Sequence, residues 1–364
     1  MPQSDTALTQ DLLTREQVRQ HVDAHLQELY ECYRQDTANI DGSYDELLEQ
    51  MATFIARGGK RLRPYLTYLG YRGVGGEDNQ AILGVATSQE LLHNFLLIHD
   101  DVIDRDQSRY HGRNLSGVYG DYFQSMHTRN DADHYGQSVA ILAGDINHIL
   151  VYQLLSESDF DATTKLQAIA WVGKKTLEVA GGELLDLMVA TNNLQSPSKE
   201  QLYNIAQYKT ASYSFECPLV LGALCGGADD GVQKELLHFA RPLGVAYQLQ
   251  DDMLGMFGDS ETTGKPVISD LREGKHTLLM YYGFRWADDK QRTVLEASFA
   301  NPDVTAADLQ QVRDILDTSG AKTAVEKHIE QLAAEARENL GSNLDTSVRT
   351  VLDSLVDKVL QRAS

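Results

Sequence analysis

The sequence predicts an all-α fold, on three observations. Seven prolines occur in 364 residues and none lies between Pro64 and Pro197, a stretch too long for strands and turns without such punctuation in most all-β folds. From Ala81 to Ile98 the apolar residues Ile82, Leu83, Val85, Ala86, Leu91, Leu92, Phe95, Leu96 and Ile98 recur at helical spacing. They are too many for one narrow stripe, which predicts a helix buried on most sides. Strand-like alternation is scarce elsewhere.

Taken in order, residues 1–40 are polar and read as an N-terminal extension to a single all-α domain over 41–364. Helical stretches follow at about Tyr44 to Tyr71, Ala81 to Ile98, Val139 to Ser156, Thr163 to Ala190, Lys199 to Cys225, Gln233 to Met256 and Thr305 to Leu340. Polar breaks separate them at Gly73 to Asn79, Arg105 to Gly120, Met126 to Gln137, Thr191 to Ser198, Gly226 to Gly231 and Gly258 to His276, each an interhelical loop. No internal repeat, heptad array or flexible linker is visible.

Composition excludes several classes of function. Apolar residues make up 42% of the chain, enough for a substantial core. Lys and Arg total 32 against 53 Asp and Glu, a formal charge of −21, which argues against a nucleic-acid partner. An anionic substrate must then be met by clustered cations or by metal. Cys32, Cys217 and Cys225 are odd in number and widely spaced, so neither a disulfide framework nor a zinc site is expected. No apolar leader opens the chain, and no segment approaches about 18 uninterrupted apolar residues. A cytoplasmic protein that is not integral to a membrane is the expectation.

Chemistry concentrates at three places. His99-Asp100-Asp101-Val102-Ile103-Asp104 follows the apolar run Phe95 to Ile98. Asp100, Asp101 and Asp104 share a helical face, where three carboxylates repel and a bound cation relieves the repulsion. Hard oxygen ligands beside a polyphosphate suit Mg²⁺. Alone, the cluster reads more readily as a solvated acidic helix end. Gln248-Leu249-Gln250-Asp251-Asp252 again ends an apolar helix and leads to Asp259 and Thr263-Gly264-Lys265. Two such pairs together could hold several Mg²⁺ ions on a diphosphate. The third place, Gly58-Gly59-Lys60-Arg61-Leu62-Arg63-Pro64, is a basic knot in an acidic chain. Lys60 and Arg63 share a face suited to phosphate, although a solvated basic turn would look the same.

Together these elements, with Gly182-Glu183-x-x-Asp186 and Lys209-Thr210, make the chain resemble the trans-prenyltransferase, or polyprenyl synthase, family from about Met51 to Thr277. The resemblance implies a prenyl synthase helical bundle around a deep central cavity, usually homodimeric. It implies Mg²⁺ ligands at Asp100, Asp101, Asp104 and Asp251, with Asp252 and Asp259 in support. Lys60, Arg63 and His93 match an isopentenyl diphosphate site, and Arg109 an arginine that contacts diphosphate. Lys209, Thr210, Gln248 and Lys265 match the side that takes an allylic prenyl diphosphate, where Lys209 and Lys265 neutralise the leaving group. Phe95 and Leu96 stand where the family controls chain length.

Two departures stand out: Gly255 occupies the place of a frequent third aspartate, and Arg109-Tyr110 replaces an Arg-Arg pair, with Arg113 a possible substitute. A single aromatic at Phe95 suggests a short product, C20 geranylgeranyl diphosphate or else C15 farnesyl diphosphate. A terpene cyclase would not need the basic knot. A non-catalytic partner subunit would be expected to have one aspartate motif degraded, whereas both keep their leading pairs here.

Overall fold

The computed structural model describes residues 12–77, 79–126, 131–191, 197–258 and 268–361, and these are helical almost throughout. They divide into two compact units, one reaching Ala170 and including Leu221–Ala228, the other comprising Trp171–Val220 and the residues from Asp229 onward.

The first unit opens with α1, Arg15–Asp36, started by a capping box in which Thr14 and Gln17 satisfy each other's backbone N–H. Val18, Val22, Leu26 and Tyr30 recur every four residues and are all buried. This helix lies inside the segment read as an extension, yet it packs on α2, α3 and α4. The expected helix from Tyr44 to Tyr71 is two helices, α2 at Gly42–Ala56 and α3 at Leu62–Gly73. The break falls in the basic knot, where Arg61 adopts the left-handed conformation at φ 47°.

Helix α4, Asn79–Ile103, buries the polar Thr87, Ser88, Gln89, Glu90 and Asn94 along with its apolar residues, as a helix enclosed on most sides does. It packs against α3 and α6, Ala132–Glu157, which also receives α5, Leu115–Ser125. Between α4 and α5 a short antiparallel pair joins β1, Ser108–Arg109, to β2, Gly112–Arg113, through Tyr110 and His111 at positive φ. By length and composition alone α4 and α6 could cross a membrane, and 72% and 44% of their apolar windows are buried inside the protein. Polar residues interrupt both runs, so a search for unbroken apolar sequence passes over them.

The second unit takes α7, Ala162–Thr191, from Trp171 onward. The expected helix from Lys199 to Cys225 is continuous but changes pitch: α8, Lys199–Ile205, becomes a π-helix at Ala206–Glu216 and then α9, Cys217–Cys225. Helix α10, Asp230–Phe257, packs on the π-helix and on α15. The remainder is α11, Ser269–Glu273, α12, Leu278–Trp286, α13, Asp289–Ser298, α14, Ala306–Thr318, α15, Ala321–Asn339, and α16, Thr346–Leu360. Gly320, at φ 83°, divides the single helix expected from Thr305 to Leu340. Cys217 and Cys225 are buried free thiols, each pushed up to about 12 by burial, while Cys32 is exposed.

Candidate active site

In the first unit the aspartates sit at the C-terminal end of α4, and one turn of helix separates their roles. Asp101 is 2% exposed and Asp104 is open to solvent. The β1 strand brings Arg109 to them: its Nε donates to Asp101 Oδ1 at 2.6 Å and its Nη2 to Asp100 Oδ2 at 3.3 Å. Burial raises the Asp101 carboxyl above its ordinary range, while Arg109 pulls it back. The other oxygen, Asp101 Oδ2, is buried and accepts no hydrogen bond among the described residues.

The basic knot adjoins this cluster. His93 lies within the fields of Arg63, Arg109 and Arg61, and burial first, then these cations, hold its imidazole well below the usual histidine range. Arg61 faces the other way: its Nε donates to Asp23 at 2.7 Å and its Nη1 to Glu90 at 2.8 Å, and it is 4% exposed. Lys60 is exposed on the loop before α3 and Arg63 is half-buried within it. The structure thus brings Arg63, His93 and Arg109 together with Asp100 and Asp101. Arg113 goes elsewhere, since its Nε donates to Asp121 at 2.8 Å on the exposed side of α5. One turn before His99, Phe95 stacks on His148 of α6 at 4.4 Å between ring centroids, and Leu96 beside it is half-buried.

In the second unit the other aspartate pair lies within the C-terminal part of α10, which continues to Phe257, and again the two differ. Asp251 is exposed, whereas Asp252 is enclosed and receives Gln248 Nε2 at 2.9 Å and Lys275 Nζ at 3.1 Å. Thr210 Oγ1 donates to Gln248 Oε1 at 2.7 Å, so one chain of contacts runs from the π-helix through α10 to the residues after α11. Lys209, one residue earlier, donates to Glu183 at 3.1 Å and Asp186 at 2.8 Å, which stand three apart on α7. Where a third aspartate is frequent, Gly255 leaves space that Asp270 of α11 occupies: a Cβ there would meet Asp270 Oδ2 at 2.3 Å.

Lys275 was not singled out by the motifs. Its pairing with Asp252, the chief cause of its raised pKa, makes it a permanent cation at this site. The available signal was Gly274-Lys275, the last of three cations, after Lys265 and Arg272, in a polar loop of an acidic chain. Lys265 and Asp259 lie outside the described residues. Among those described, no three His, Cys, Asp or Glu side chains form a ready-made metal cage. An open set of carboxylates still fits Mg²⁺, which binds through one or two carboxylates and completes its octahedron with water and phosphate oxygens.

The chain as a whole is similar to several known proteins. The chain is 30% identical over 279 residues to a geranylgeranyl diphosphate synthase of Saccharolobus solfataricus, covering 76% of this chain and 78% of that one. It is 30% identical over 324 residues to a geranylfarnesyl diphosphate synthase of Aeropyrum pernix, covering 87% and 95%. The crystal structure of a geranylgeranyl pyrophosphate synthase from Corynebacterium glutamicum, complexed with isoprenyl diphosphate and magnesium, superposes with a TM-score of 0.90 at 28% identity, covering 96% of this chain and all of that one. The sequence model of the polyprenyl synthetases matches residues 45–316, a span that contains both aspartate pairs and the basic knot, and the chain belongs to the polyprenyl synthetase family.

Proposed function

We propose that the protein is a prenyltransferase that joins isopentenyl diphosphate head to tail to an allylic prenyl diphosphate and stops at C20. The observation that carries this reading is the pairing, in each unit, of a more accessible aspartate with a more enclosed one that holds a cation: half-buried Asp100 and buried Asp101 with Arg109, exposed Asp251 and the more enclosed Asp252 with Lys275. Terpene cyclisation would leave the basic knot without a task.

Lys60, Arg63 and neutral His93 bind the diphosphate of isopentenyl diphosphate, with Arg109 between it and the first aspartates. Lys209, Thr210, Gln248 and Lys275, together with Lys265, receive the allylic diphosphate. Mg²⁺, several ions of which Asp100, Asp104 and Asp251 would hold, with Asp101 and Asp252 beside them, supplies charge neutralisation to the departing diphosphate. The allylic C–O bond breaks with its electrons leaving on the diphosphate, which the lysines stabilise. The alkene of isopentenyl diphosphate attacks the resulting cation, and the proton lost in forming the new double bond passes to the released diphosphate. Phe95, five residues or about 7.5 Å of helix rise before Asp100, limits how far the growing chain extends, with Leu96 beside it.

The protein acts as a homodimer in the cytoplasm on this reading. Its test is incubation with labelled isopentenyl diphosphate, Mg²⁺ and dimethylallyl, geranyl or farnesyl diphosphate, with the dephosphorylated products resolved by length. A discrete C20 alcohol is expected. A C15 product would move the stop to farnesyl diphosphate, and no condensation with any primer would return the cyclase and partner-subunit readings. Asp100→Ala and Asp251→Ala should each lower turnover by about a hundredfold or more with the helical circular dichroism intact. Near-normal turnover in either would remove that aspartate from the site.

A further inference from the structure

Lys175 stands outside both clusters and is 2% exposed, a burial lysine almost never reaches without partners. It projects from α7 between Glu178, whose Oε2 accepts from its Nζ at 2.8 Å, and Glu216, the last residue of the π-helix and itself 1% exposed. The Trp171 ring lies 4.9 Å from the same ammonium. Glu216 uses its other oxygen to accept from Arg241 Nε of α10 at 2.8 Å, and Glu178 also accepts from Ser212 Oγ of the π-helix at 3.0 Å. Two cations and two carboxylates therefore balance one another and join three elements.

Net stability is a poor reason for such a group, because desolvating buried charges offsets most of their attraction. What the group holds is more informative. A π-helix is rare, and an eleven-residue one departs far from the single-turn bulge that is usual at functional sites. Its neighbours approach without side chains: a Cβ on Gly182 of α7 would lie 2.3 Å from the Lys209 backbone nitrogen, and one on Gly244 of α10 would lie 2.5 Å from Ala211 Cβ. Lys209 makes the first of these contacts and Thr210 stands between them, with side chains aimed at α7 and α10 respectively.

We propose that Lys175 is a positioning residue for the allylic diphosphate, fixing the register of the π-helix through Glu216 and, by way of Glu178, through Ser212, so that Lys209 and Thr210 face their partners. The inference rests on the assignment of Lys209 and Thr210 to that substrate. Lys175→Met, of similar length without charge, should raise KM for the allylic diphosphate about tenfold and leave KM for isopentenyl diphosphate within about twofold, with Lys175→Arg restoring most of the loss. A packing role alone would lower the thermal midpoint and move neither KM selectively. Arg241→Met removes the more exposed end of the same group and covers the case in which Lys175→Met does not fold; it should raise the same KM about threefold. An unchanged allylic KM in folded Lys175→Met, or in Arg241→Met where the former is unfolded, would overturn the inference. Lys209→Ala measured alongside separates the two failures. If it too leaves the allylic KM unchanged, the assignment of Lys209 falls; if it alone raises that KM, only the role of Lys175 does.

Discussion

His93 sits among Arg61, Arg63 and Arg109, and burial together with their fields keeps its ring neutral. A neutral imidazole carries one donor and one acceptor, which suits it to orient a phosphate oxygen without adding a further charge. Unfolded, the same side chain takes a proton near pH 6.5, so the denatured state binds more protons than the native state below that value. Stability contributed by His93 is therefore present above pH 6.5 and lost as pH falls beneath it, by at most about 1.4 kcal/mol per pH unit. Thermal midpoints measured from pH 7.5 to 5.5 should decline, and His93→Gln should flatten the decline. His25, His148, His276 and His328 are lowered by burial as well, so part of the slope will persist in the variant. Parallel curves for the two proteins would mean that His93 titrates normally. The charges at 60–63 and 100–104 are legible as motifs, but their exposure is not. Arg61 and Arg63 stand two apart in one basic knot, and the structure turns Arg61 into the protein and leaves Arg63 beside His93. Lys275 was hard to assign for a related reason, because its partner Asp252 lies 23 residues away in the sequence and no motif spacing links the two.

Among the elements, α4 could be read from its sequence because apolar residues cover nearly every side of it. α1 could not, since its apolar stripe is one residue wide and the surrounding polar residues set the average. Within that stripe Leu26 is 2% exposed, and Leu26→Ala should lower the unfolding free energy by about 2–5 kcal/mol, as measured by urea denaturation. A loss under about 0.5 kcal/mol would mean that α1 is an appendage, as its composition suggested. The break between α2 and α3 falls in the basic knot, which the sequence marks for its cations, while Gly58 and Gly59 lie between the end of one helix and the start of the next. The π-helix has no signature at all, because searching for a period of 3.6 residues finds one continuous helix through Lys199 to Cys225 and cannot register a widened turn.

At the scale of the molecule, the formal charge of −21 opposes anionic substrates, and the cations gathered around each aspartate pair answer that opposition locally. The apolar surface is less evenly spread. Ile141, Leu142 and Ile149 of α6 are 43%, 58% and 64% exposed at spacings that place them on one side of the helix. Exposed Asp145 interrupts this side, so the apolar residues form a mixed surface, and covering them is what the homodimer proposed above would achieve. Ile149→Asp should convert a dimer to a monomer in sedimentation velocity, and a species of unchanged mass would exclude this face as the interface. The ion triad of Asp23, Arg61 and Glu90 has its own consequence, which concerns descent. A lineage that lost Asp23 would leave Arg61 with one carboxylate to balance it, and one that lost Arg61 would strand Glu90, whose carboxyl burial already raises. Drift at these three positions is therefore expected to be coupled, with the N-terminal helix tied to the basic knot through the one guanidinium that both carboxylates share.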